Sequence, residues 1–99
     1  MIKFNDKIQS DIDSLYERYK NNQGTRDFIL LKAAEELNEL SAELIQKVLH
    51  PTHETDDKIT DELGDVFIRL GILTKFYNMD QVNNRIDLKM KKIIKKMNV

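Results

Sequence analysis

Lys32-Ala33-Ala34-Glu35-Glu36-Leu37-Asn38-Glu39-Leu40 and Asp61-Glu62-Leu63-Gly64-Asp65-Val66 decide both the fold and the chemistry of this chain. Each stretch lies inside a longer apolar segment of helical period. Around the first, Leu30, Ala33, Leu37, Leu40, Leu44 and Val48 recur at threes and fours, the spacing of one helix face. Around the second, Ile59, Leu63, Val66 and Phe67 place Glu62 and Asp65 at the expected edge of a core. A residue and its i+3 neighbour project from the same side of a helix. Two such helices packed together therefore bring four carboxylates to one place. A single pair about 5 Å apart repels by roughly 3 kcal/mol at an effective dielectric of about 20. Such a site must take up protons or hold a cation. Oxygen donors alone select a hard divalent ion, Mg²⁺ or Mn²⁺.

Outward from these stretches the pattern stays helical. One proline, three glycines and no sustained alternation of the strand type predict an all-α domain, a four-helix bundle-like subunit. The first runs from about Asn5 to Lys20, burying Ile8, Ile12, Leu15 and Tyr19. Gly24 then suits a left-handed exit position. The second runs from about Arg26 to Leu49, with Thr25 as N-cap and Pro51 as its stop. Lys32, Glu36, Glu39 and Glu43 form a stripe beside its apolar arc, and Glu43 reads as solvated surface. The loop from His50 to Asp56 holds both histidines. The third helix runs from about Asp57 to Tyr77 and is apolar nearly all round, which predicts burial on every side and hence a subunit interface. Gly64 and Gly71 share one face of it, where close helix approach would offset their cost of about 1 kcal/mol each. The fourth runs from Asp80, as N-cap, to Met97. Its buried stripe is Val82, Ile86, Met90, Ile93 and Met97. Arg85, Lys89, Lys92 and Lys96 run parallel to it.

A chain of 99 residues is one small domain, residues 1–99, with a modest core that oligomerisation would extend. It has no cysteine, so neither a disulfide nor a thiolate metal site. Met1-Ile2-Lys3-Phe4-Asn5-Asp6 lacks the apolar region of a leader, and no apolar run approaches a membrane span of about 20 residues. A cytoplasmic protein without a membrane partner is expected. The net charge of −1 conceals a division. Residues 1–80 hold 10 Lys/Arg against 16 Asp/Glu, whereas residues 81–99 hold 6 against 1. An anion held between a carboxylate-bound metal and a basic helix would use both parts.

The chemistry narrows by what is missing. No Glu-x-x-His pair of a di-iron bundle and no His-Glu-x-x-His zinc motif occurs. There is no glycine-rich P-loop. Mg²⁺ fits best, because it keeps several waters and is shared between carboxylates and substrate phosphates.

Glu35-Glu36-x-x-Glu39, 22 intervening residues, then Glu62-x-x-Asp65 resembles the all-α nucleoside triphosphate pyrophosphohydrolases, a superfamily with MazG-like members. The likeness covers about three quarters of the chain. It implies that Glu36, Glu39, Glu62 and Asp65 are Mg²⁺ ligands and that Glu35 is a second-metal ligand or water activator. It also implies that Lys32 contacts phosphate and, more loosely, that Lys89 and Lys92 hold the triphosphate, with Arg85 able to substitute. The implied reaction is attack of water on the α-phosphorus of a (d)NTP, releasing pyrophosphate and a nucleoside monophosphate. A house-cleaning role and a homo-oligomer, dimer or tetramer, belong to the same expectation.

Two readings compete with this. Arg85, Lys89, Lys92 and Lys96 would also suit a nucleic-acid-binding or regulatory module, although that leaves the acid pairs unexplained. A member of the fold serving only as a regulatory partner is the other. Phe28, Phe76 and Tyr77 read as core or interface rather than as a base pocket.

Overall fold

Asparagine and threonine side chains start all four helices. The computed structural model describes residues 3–98, so Met1 and Ile2 of the stretch read for a leader lie outside it. Helix α1 spans Asp6–Tyr19, α2 Gln23–Leu49, α3 His53–Thr74 and α4 Met79–Met97, and the described residues include no strand. The Asn5, Asn22 and Asn78 carboxamides accept from the backbone N–H groups of Ile8, Thr25 and Gln81 at 2.9, 3.2 and 3.1 Å. Thr52 and Thr55 form a reciprocal capping box at the start of α3.

These caps move the predicted boundaries. Asn22, not Thr25, caps α2, which therefore begins three residues before Arg26. Gly24 lies within its first turn, and no glycine has a positive φ, so the left-handed exit is not used. Likewise Asn78 rather than Asp80 caps α4. The expected loop from His50 to Asp56 shrinks to His50, Pro51 and Thr52, because the capping box starts α3 at His53.

That three-residue turn makes α2 and α3 an antiparallel hairpin. Thr55 is buried at the turn, its hydroxyl 2.7 Å from the Thr52 carbonyl. Lys47 and Asp56 close the same end with an ion pair of 2.8 Å. At the other end Ile29 and Ile72, each 1 % exposed, form one cluster with Ile12 of α1. With both ends pinned, Glu36 and Glu39 fall opposite Glu62 and Asp65.

The α2 row that faces α3 is Ile29, Ala33, Glu36, Leu40, Glu43 and Lys47, at steps of four, three, four, three and four. This corrects the apolar arc read from the sequence. Of that arc, Ala33 is buried and Leu40 half-buried, while Leu30, Leu37, Leu44 and Val48 are exposed. Helix α2 carries two apolar rows about 100° apart, and its own chain covers one of them.

Helix α1 crosses the C-terminal half of α3. Gly71 permits this, since a Cβ there would meet Ile12 Cδ1 at 2.9 Å and the Phe4 ring at 3.1 Å. Gly64 has nothing within 4 Å of that position, so close approach accounts for one of the two glycines. Lys75 pairs with Asp13 and lies over the Tyr16 ring, and Tyr16 meets Phe76 edge-on with centroids 5.1 Å apart.

Helix α4 does not join the other three in a closed bundle. Every residue from Asp80 to Asn98 is exposed, including the stripe from Val82 to Met97 that the sequence reading buried. The radius of gyration, 16.2 Å, exceeds the roughly 13 Å of a closed domain of this length. Nor is α3 buried all round, as Ile68 is 42 % exposed. The periodicity identified the helices correctly, but the faces of α3 and α4 that it marked for burial find too little partner surface within one chain. No described helix is long and apolar enough to cross a membrane.

Candidate metal centre

The seam between α2 and α3 is apolar at one end and ion-paired at the other. Between them it holds carboxylates. Glu36 sits in the inward row of α2 because it is three residues beyond Ala33 and four before Leu40. Glu62 sits in the inward row of α3, between Ile59 and Val66. Asp65, one turn on, points to the exposed margin of the same seam. One carboxylate oxygen from each of Glu36, Glu62 and Asp65 lies within 4.8 Å of the other two.

The electrostatics of the triad suit a bound cation. Glu36 and Glu62 each bury one carboxylate oxygen, Oε2, that has no hydrogen-bond partner among the described residues. Burial is the main cause that raises the Glu36 carboxyl above its ordinary range, and the Glu39 carboxylate adds to it. Burial likewise raises Glu62, followed by the charges of Asp65 and Glu36. A buried, unpaired acceptor is costly to leave without a donor or an ion. Three carboxylates without nitrogen or sulfur match a hard divalent cation.

The residues singled out in the sequence divide into three groups. Glu36, Glu62 and Asp65 come together. Glu39 is exposed beside them, near enough for its charge to act on Glu36 but outside the close triad. Glu35 and Lys32 flank the triad on α2 and pair with each other at 3.3 Å. Lys32 also lies over the Phe28 ring, 5.9 Å from its centroid. Arg85, Lys89 and Lys92 stand apart on the exposed helix α4, and none of them pairs with an acid among the described residues.

Glu43 was read as solvated and is half-buried in the seam, where its charge also raises Glu62. The signal for it was available: Glu43 lies seven residues after Glu36, which keeps a residue on the same helix face. Phe28, expected in the core or an interface, is 46 % exposed and so lies outside the core.

A family model described as the MazG nucleotide pyrophosphohydrolase domain matches residues 25–98. No curated protein and no solved structure matches the chain. The matched span takes in α3, α4 and almost all of α2, and leaves out α1.

Proposed function

The chain belongs to the MazG nucleotide pyrophosphohydrolase family, and from that premise we propose that it converts a (d)NTP to a (d)NMP and pyrophosphate with Mg²⁺. One observation carries the proposal. Two helices that face each other each present a buried carboxylate oxygen lacking any partner, with a third carboxylate alongside. Glu36, Glu62 and Asp65, with Glu39 beside them, would hold the ion, and Mn²⁺ would substitute for Mg²⁺. When bound, the ion neutralises triphosphate charge and orients the α-phosphorus.

The chain's own residues supply the rest. Glu35, one residue before Glu36 and exposed, accepts the proton of the attacking water. Lys32, 3.3 Å from the Glu35 carboxylate, offsets charge on the substrate. Arg85, Lys89 and Lys92 would hold the outer phosphates and stabilise departing pyrophosphate. Their exposed row lies beside an exposed apolar stripe, Val82 to Met97. Both that stripe and the outer row of α2 support a homo-oligomer, dimer or tetramer, in which a second copy covers them. The role is nucleotide-pool house-cleaning in the cytoplasm.

The test is pyrophosphate release from a panel of standard and modified (d)NTPs, with Mg²⁺ and then with EDTA. Mg²⁺-dependent release is expected and would identify the substrate. The exposed basic row of α4 favours one other reading, a nucleic-acid-binding module. Strong, salt-dependent DNA binding with no hydrolysis of any nucleotide would establish that reading instead.

A further inference from the structure

Carboxylates and lysines provide for the phosphates of a nucleotide and leave its base without a partner. Resting on the reading just given, we propose that Phe28 is the surface on which the nucleobase stacks.

Phe28, Lys32, Glu35 and Glu39 follow one another on α2 at steps of four, three and four. They form a single line along one side of the helix. An aromatic ring, a cation and acids are met in that order. A nucleotide presents its base, its phosphates and their metal ion in the same order. At 1.5 Å per residue, Phe28 stands about 12 Å along the axis from Glu36, a span suited to a ribose and its phosphate chain. Lys32 lies between them, its ammonium 5.9 Å from the Phe28 ring centroid and 3.3 Å from the Glu35 carboxylate.

The ring is also open to solvent on part of its surface. Ile29, the next residue, is 1 % exposed in the core, whereas Phe28 is 46 % exposed. The other aromatic rings are engaged or distant. Phe76 is held by Tyr16 and by the Arg26 guanidinium, 5.4 Å from its centroid. Phe4 and Tyr19 pack against the core cluster. Tyr77 is exposed but lies beyond the end of α3, about 18 Å along from Asp65. Phe67 is half-buried, two residues after Asp65 and so turned well away from it on α3. Because every base has a π-face, an aromatic platform binds bases broadly, and neighbouring polar groups must refine the choice.

The chain has no tryptophan, so Phe28→Trp places a single indole at the proposed platform. Its fluorescence is expected to be quenched by α,β-methylene nucleoside triphosphates in Mg²⁺, and not by inorganic tripolyphosphate at equal occupancy. In the active enzyme Phe28→Ala should raise KM for nucleotides about tenfold, the weight of one base–aromatic stack. The effect should fall on KM rather than kcat. Phe28→Tyr should restore KM, and inhibition by tripolyphosphate should be the same in all three. Equal quenching by tripolyphosphate, or an unchanged KM in Phe28→Ala, overturns the proposal. So does a smaller sedimenting species in Phe28→Ala, which would place the ring in a subunit contact. Nucleotide-specific quenching without any pyrophosphate release would keep the platform and overturn the hydrolase reading alone.

Discussion

Glu36 on α2 and Glu62 on α3 face each other across the helix seam, and each buries one carboxylate oxygen without a hydrogen-bond partner among the described residues. The hairpin thus gives up local stability at the candidate metal centre. Such a trade is expected of a functional site and is hard to explain in a structural core.

Removing the ion should reveal that cost. Both carboxyls are raised above their ordinary range, with burial the leading cause. The folded chain therefore holds more protons than the unfolded chain between the ordinary value and the raised ones. Metal-free stability should then fall as pH rises through the raised values and recover as pH drops back. Asp13, held low by Lys75, acts in the opposite sense at lower pH. Urea unfolding in EDTA at stepped pH measures the slope, and Glu62→Gln should flatten it. Saturating Mg²⁺ should reverse the slope, because carboxylate ligands must be deprotonated to bind. It should also stabilise the fold by about 2.7 kcal/mol at one hundred times Kd.

Glu39→Gln and Asp65→Asn should each lower turnover by roughly 10²-fold or more while leaving the helical circular dichroism unchanged. Both side chains are exposed, so the fold does not depend on them. Retained Mg²⁺-dependent hydrolysis in both variants would sink the metal assignment.

The two α3 glycines should respond with opposite signs. Gly64→Ala meets open space and should stabilise the chain by about 0.5–1 kcal/mol through helix propensity. Gly71→Ala drives a methyl into Ile12 and Phe4 and should cost about 1–3 kcal/mol, less that propensity gain. Thermal melts compare them. If Gly64→Ala instead weakens self-association, the open side of α3 at that turn is a subunit contact.

Helix α4 should separate into two functions by face. Ile86→Asp and Ile93→Asp interrupt the exposed apolar stripe and should shift sedimentation towards the monomer. Lys89→Ala with Lys92→Ala should leave sedimentation unchanged and raise KM for the triphosphate. An unchanged KM would remove these lysines from the phosphate site.

The helices and the acid spacing were legible in the sequence because both depend on periodicity along a single element. Glu36, Glu62 and Asp65 could be grouped from i, i+3 steps on two adjacent helices. What periodicity cannot say is which of two apolar rows the chain covers. The row at Leu30, Leu37 and Leu44 is as regular as that at Ile29, Ala33 and Leu40, and the hairpin register chooses between them. The α4 stripe misled for the same reason, since a pattern marks a face for burial without naming the chain that buries it. Helix starts were misplaced where asparagine caps lay a few residues before the apparent signals. Glu43 was misjudged as a residue of the acidic stripe, when its step of seven from Glu36 placed it inside the seam.

The turn of three residues between α2 and α3 bears on how the protein comes to exist as well as on what it does. Contacts across such a hairpin join residues close in sequence, and chains dominated by local contacts fold quickly. The carboxylates therefore become neighbours as soon as the hairpin closes. Their mutual repulsion then falls on the folding transition state, not only on the finished structure. A divalent ion bound between these carboxylates would then speed folding as well as slow unfolding.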